Sequence, residues 1–128
     1  RLVLRAGEHG ANGGMSFNGA QRGGHEVVLP VGWRVQVTLV NDDSSLPHSA
    51  IIIPASDSIP NRVTSPAFAG AASQGADEGT LVGDSTAFSF TTERPGAYWL
   101  FCAVPGHGKA GMYLRLTVSR TSRVPRYQ

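Results

Sequence analysis

Phe101-Cys102-Ala103-Val104-Pro105-Gly106-His107-Gly108-Lys109-Ala110-Gly111-Met112 is the stretch on which the reading of this chain turns. Before it, Ala97 to Phe101 reads as a buried strand of aromatic and aliphatic residues. After it, Gly111 to Val118 reads as the next strand, with Met112, Leu114, Leu116 and Val118 alternating inward. Pro105, Gly106, Gly108 and Gly111 let the chain turn sharply between the two. The stretch is therefore a loop that closes a hairpin at one end of a sheet. It holds the only cysteine, a histidine five residues later and a methionine five after that.

A thiol, an imidazole and a thioether on one tight loop form a soft donor set. Taken singly, each has an ordinary explanation: a lone Cys is usually a small buried hydrophobe, and an inward Met on a strand is usually core. Together they match the ligand types that select copper, two His and one Cys with a weak axial Met. The second histidine must come from elsewhere, and Leu46-Pro47-His48-Ser49 supplies one. Such a set suits both Cu(I) and Cu(II), so little rearrangement accompanies gain or loss of one electron.

These motifs resemble those of the cupredoxins, the small blue-copper electron carriers. Within that group the chain is most similar to the sulfocyanins, with rusticyanin a further relative. The resemblance rests on the Cys-x4-His-x4-Met spacing and on Phe-Cys-x-Val-Pro-Gly-His followed by Ala-Gly-Met. Pro-His-Ser at 47–49, Phe17-Asn18-Gly19 and Pro30-x-Gly32-Trp33 add to it. It covers most of residues 13–118, is weak in the middle segment and stops before the last residues. It implies a Greek-key β-sandwich and one copper ion held by His48, Cys102, His107 and Met112. It also implies a one-electron relay between redox proteins of cytochrome or terminal-oxidase type, outside the cytoplasm. Ser49 resembles the acid-stable, high-potential branch, where a Ser next to the first ligand hydrogen-bonds to the ligand loop and tunes the metal. Leu46, Pro47, Val104, Pro105, Gly106, Gly108 and Ala110 are small or apolar, and the resemblance makes them a low-charge docking patch around His107.

Composition agrees with one all-β domain. The chain has 128 residues, 16 of them Gly, and only 16 % are charged. Helix-period patterns are nearly absent, and short runs of Val, Ile, Leu, Phe and Trp recur between turn residues. Strands are expected at Leu2–Leu4, Met15–Gly19, Glu26–Pro30, Gly32–Asn41, Pro47–Ile53 and Thr86–Thr91. In the clearest of them, Trp33, Val35, Val37 and Leu39 share a face. Residues 41–45 read as a polar turn. Residues 54–86 form a long Gly/Ala/Ser/Pro-rich excursion, with a short helix expected over Ala67–Ser73. The domain is taken as residues 1–119, followed by a polar tail over 120–128. His9 and His25 read as exposed, and Met15 as core packing.

Other functions find little support. A net charge of +2 from ten scattered Arg and one Lys lacks the basic-aromatic stripes of nucleic-acid binding. One Cys excludes Cys-x2-Cys zinc sites and a two-cysteine binuclear copper site. No His-x-His pair, nucleotide loop or Ser-His-Asp arrangement is present, so an enzyme is not expected. The remaining alternative is a copper carrier or store without a relay role, and two Met in total argue against it. The start at Arg1 reads as a trimmed form, from which a signal sequence or N-terminal membrane anchor has been removed. A monomer is expected.

Overall fold

A computed structural model describes residues 1–128. The strands are β1 (Leu2–Ala6), β2 (Glu26–Pro30), β3 (Arg34–Asn41), β4 (Ile51–Pro54), β5 (Ser85–Thr91), β6 (Gly96–Phe101), β7 (Tyr113–Ser119) and β8 (Arg126–Tyr127). They form two mixed sheets, ordered β1-β3-β5 and β4-β6-β7-β2-β8. The pairs β1/β3 and β2/β7 are parallel and the others antiparallel. The sheets face each other as the expected β-sandwich, and no helix is long and apolar enough to cross a membrane.

Period-two patterning places the core. Along β3, Val35, Val37 and Leu39 are buried while Arg34 and Gln36 are exposed. They meet Leu100, Leu114, Leu116 and Val118 of the other sheet in one cluster that also contains Cys102 and Met112. The candidate sulfur ligands are thus part of the hydrophobic core. Met15 packs against the same cluster. Trp33 departs from the expected face and is 42 % exposed. It lies in the turn before β3, where the Thr92 hydroxyl accepts its N–H at 2.8 Å and donates to Pro30 O at 2.8 Å. The alternation begins only after that turn.

Four local expectations change. Met15–Gly19 is no strand; only Phe17 makes isolated bridges, to Ala6 and Ala20. The strand expected from Pro47 begins at Ile51, which leaves His48 ahead of it on a bridge to Thr80. No helix forms over Ala67–Ser73. Instead Ala67 N–H donates to Ile52 O at 2.8 Å, Ile52 N–H to Ala71 O at 3.0 Å, and Ser73 N–H to Ala50 O at 2.8 Å. β4 is the outer strand of its sheet, and its unpaired backbone groups need partners. A run of Ala, Gly and Ser offers no apolar stripe to compete for them. Finally, the polar tail ends in β8, which pairs with β2 through Val27–Tyr127 and Val28–Arg126 and covers that edge. Both β8 residues are exposed, so no hydrophobic alternation announced a strand.

One aromatic residue anchors the 54–86 excursion in the main core. Phe68 is 2 % exposed. Its ring lies 5.6 Å from Phe90 and 4.9 Å from Tyr98. Phe68→Ala is expected to destabilise the protein by about 3–5 kcal/mol, read from the urea unfolding midpoint. A loss below about 1 kcal/mol would show that the excursion lies outside the cooperative core.

Candidate metal centre

Strand register brings the site together. β6 ends at Phe101, which pairs with Tyr113 at the start of β7 and with Ile51 at the start of β4. Cys102, Met112 and the segment 48–50 therefore leave the sheet at the same edge. Cys102 N–H donates to Met112 O at 3.0 Å, and Met112 N–H to His107 O at 3.1 Å. These two bonds pinch the loop so that both its ends and His107 lie around one point.

His48, Cys102 and His107 are all buried, and their donor atoms lie within 4.8 Å of one another. Sγ of Cys102 is 3.5 Å from Nδ1 of His107 and 3.9 Å from Nδ1 of His48. The imidazole rings are 5.1 Å apart between centroids. Met112 is fully buried and belongs to the same core cluster as Cys102. The structure thus brings three of the four residues expected from the sequence, His48, Cys102 and His107, to one point, and the Met112 backbone adjoins Cys102 through the Cys102 N–H to Met112 O bond. This set fits a single copper ion of the type 1 kind: two nitrogens turned toward one buried sulfur, with a buried methionine in the same core cluster as the cysteine.

The surroundings act on the sulfur and on the two rings differently. Ser49 N–H donates to Cys102 Sγ at 3.3 Å, and Ser49 Oγ accepts the Ala103 N–H at 3.0 Å. Ser49 therefore ties β4's entry to the ligand loop, as expected. Burial pushes the Cys102 thiol above its ordinary value, and N–H donors from Ser49 and Val104 offset part of that. Burial lowers both His48 and His107. For His48 the carboxylate of Asp43 opposes this in part. Without metal the pocket therefore holds a neutral thiol and two neutral imidazoles near neutral pH.

Asp43 is the residue that sequence reading missed. It lies in what reads as a polar turn, yet it is 7 % exposed, and its Oδ2 is 2.6 Å from His48 Nε2. Burial raises its pKa, but the His48 hydrogen bond and the Ser44 amide more than compensate, leaving it below the ordinary carboxylate value. Asn41 supports the same turn. Its Oδ1 accepts the Asp43 N–H at 2.9 Å, and its Nδ2 donates to Leu46 O at 2.9 Å and Thr80 O at 2.8 Å. The faint signal for both was position: a polar cluster between a buried strand and a candidate ligand.

The expected docking patch is mixed in exposure. Pro105 and Ala110 are exposed, Leu46, Pro47, Val104 and Gly106 half-buried. Gly108 is buried; a Cβ there would lie 2.7 Å from Ile59 and 2.9 Å from Phe101. The excursion touches the ligand loop again where Gly106 N–H donates to Asn61 O at 3.2 Å. His25 is half-buried beside Tyr127, with ring centroids 5.2 Å apart, and takes no part in the site.

Buried neutral imidazoles have a consequence for the metal-free protein. Below the ordinary histidine value of 6.5 the unfolded chain takes up protons that folded His48 and His107 refuse. Stability should therefore fall as pH drops from about 7 toward 5. At the other end it should fall as pH rises past the ordinary thiol value of 9.0, because the unfolded chain releases the Cys102 proton first. Urea midpoints of the metal-free protein across this range check both limbs. His107→Gln should flatten the acid limb, and an acid limb of unchanged slope in that variant would show that His107 is not buried neutral.

Comparison with known proteins agrees with the site. Among solved structures, dithionite-reduced auracyanin from Roseiflexus castenholzii superposes with a TM-score of 0.66 at 22 % identity, covering 92 % of this chain and 95 % of that one. Auracyanin A from Chloroflexus aurantiacus, described as a "blue" copper protein, gives 0.66 at 15 % identity, with 92 % and 97 % covered. Rusticyanin from Thiobacillus ferrooxidans gives 0.63 at 24 % identity, with 92 % and 75 % covered. These likenesses establish the fold. A copper-containing nitrite reductase from Thermus scotoductus also matches, but over only 23 % of its own length, so the likeness to an enzyme is confined to one domain. The curated proteins contain no match. The Sulfocyanin (SoxE) domain matches residues 2–128, including the last segment that carried no visible resemblance. The chain is therefore a member of the sulfocyanin family, with the fold of the blue-copper proteins it superposes on.

Proposed function

We propose that this chain relays single electrons between larger redox proteins of an extracytoplasmic respiratory chain, through one copper held by His48, Cys102, His107 and Met112. The observation that carries the reading is the convergence of three buried donors within 4.8 Å, with Met112 fully buried in the core cluster that holds Cys102. When bound, copper supplies the Cu(I)/Cu(II) couple. The chain supplies the rest. Cys102 offers its sulfur as thiolate once its proton is displaced, and the Ser49 amide steadies the charge that results. His48 and His107 present Nδ1 toward that sulfur. The enclosing core keeps water and oxidants away from the thiolate. Burial of the donors also argues against a store that must release its metal readily.

The decisive experiment is the visible and EPR spectrum after one equivalent of Cu(II) is added. An intense thiolate-to-copper band with narrow hyperfine splitting is expected, and Cys102→Ala should abolish both. Weak bands and an ordinary cupric signal in the unmodified protein would overturn the ligand assignment.

His107 is the ring with a route outward. It is 8 % exposed whereas His48 is 0 % exposed. Around it Pro105 and Ala110 are exposed, with Val104, Gly106, Leu46 and Pro47 half-buried. Leu81, 66 % exposed, follows Thr80, which pairs with His48, and adds a larger apolar side chain at the same end. A small apolar patch of this kind suits the brief complexes of redox partners, which use little surface. Pro105→Glu, Ala110→Glu and Leu81→Glu should each slow transfer to a partner protein while leaving the copper spectrum unchanged. Stopped-flow rates equal to the parent in all three would remove the patch from the proposal.

A further inference from the structure

The Asp43 carboxylate is built into the fold more firmly than a turn requires. Its Oδ1 accepts the Ser44 N–H at 2.7 Å, and its own N–H is held by Asn41. The turns before and after residue 10 close over it. A Cβ on Gly7 would lie 2.6 Å from Asp43 Cβ, and one on Gly14 would lie 2.5 Å from Oδ2. Both glycines sit at positive φ, 73° and 93°, where other residues are strained. Gly7 and Gly14, at the two ends of the short 3-10 segment Glu8–Gly14, thus lack the side chains that would meet this carboxylate. Burying such a group is costly unless it is well paired. No Lys or Arg forms an ion pair with it; its side-chain partner is the His48 ring at 2.6 Å.

That ring is the link to the metal centre. With Nε2 bonded to Asp43, His48 turns Nδ1 toward Cys102 Sγ, 3.9 Å away. The carboxylate lies one imidazole away from the donor pocket, in a buried setting where salt screens little. A negative charge there attracts the ion with two positive charges more than the ion with one. The Ser49 N–H on the sulfur acts in the opposite sense, because it withdraws electron density from the thiolate that stabilises Cu(II).

We infer that Asp43 is a positioning residue that holds His48 as an Nδ1 donor and, through its charge, favours Cu(II) over Cu(I), setting the reduction potential below what the Ser49–Cys102 hydrogen bond alone would give. This rests on the reading of His48 as a copper ligand.

Asp43→Asn separates charge from shape. With its oxygen toward the His48 Nε2–H the amide keeps that bond and still fills the space between Gly7 and Gly14, while its NH2 replaces the oxygen that accepts the Ser44 N–H, a loss that weighs equally on both copper states. Chelator competition on the full chain should show Cu(II) affinity falling about 10- to 100-fold. Cu(I) affinity should fall less. The potential, measured by voltammetry, should rise by about 59 mV for each tenfold difference between the two. Equal losses for both ions, or an unchanged potential, would overturn the role of the charge. ¹⁵N NMR of the unmodified, metal-free protein needs no variant. It should show His48 protonated at Nε2, and protonation at Nδ1 would overturn the positioning role. His48→Gly tests the underlying reading separately. If the thiolate-to-copper band survives intact in that variant, His48 is no ligand, whatever Asp43→Asn does.

Discussion

One sulfur atom is the point on which the site and the end of the sandwich depend. Cys102 Sγ is buried completely, yet it is an acceptor that needs partners. Ser49 N–H reaches it from the approach to β4, and both imidazoles face it. Cys102 directly follows β6, Ser49 belongs to the chain entering β4, and His107 to the loop leading to β7. Placing that sulfur correctly therefore places three segments at once. Conversely, the β4–β6 register, with Ile51 opposite Phe101, puts Ser49 beside Cys102. A slip of one residue would turn Ser49 away and exchange Ile51 and Ile53 with Ile52 between the two buried clusters they fill. The packing that stabilises the fold and the geometry that makes the site are the same constraint.

Seen this way, the long excursion is part of the site's construction. Its first part meets the ligand loop through Ile59 and Asn61. Its middle pairs with β4 and anchors Phe68 in the core. Its last part returns through Thr80, which exchanges hydrogen bonds of 3.1 and 2.6 Å with the His48 backbone. The backbone of one candidate ligand and the loop carrying the other three are thus held by one segment. Donors fixed before the metal arrives leave less to reorganise when an electron is gained or lost.

What could be read in advance depended on how local its cause was. The hairpin around Cys102, His107 and Met112 was legible because donor types, glycines and flanking strands all lie within a short run. Ser49 was legible because it adjoins His48. β3 was legible from its alternation, until Trp33, where the Thr92 hydroxyl rather than burial decides the backbone path. The role of Asp43 was not legible. An acid in a run of Asn, Asp and Ser looks solvated, and only the fold brings Gly7 and Gly14 over it. The pairing of residues 67–73 was hidden for a related reason: it is dictated by the open edge of β4, not by their own side chains. β8 escaped because pairing with β2 uses backbone groups and buries neither of its side chains.

The two polar neighbours of the donors define how this chain balances its centre. Ser49 reaches the sulfur chiefly through its backbone amide at 3.3 Å, while its hydroxyl accepts the Ala103 N–H and lies 3.8 Å from the same sulfur. That influence belongs to the β4–β6 register. Asp43 acts on the opposite side, through a side chain and across a ring, and depends on space that Gly7 and Gly14 leave open. The first influence is nearly invariant for this fold, whereas the second can be changed by one atom type. A protein of this architecture can therefore retune its electron affinity at the Asp43 position without disturbing the core, since the carboxylate sits outside the apolar cluster that holds Cys102 and Met112. Charge placed one imidazole away from the metal is a graded control, and the packed sulfur is the fixed reference against which it works.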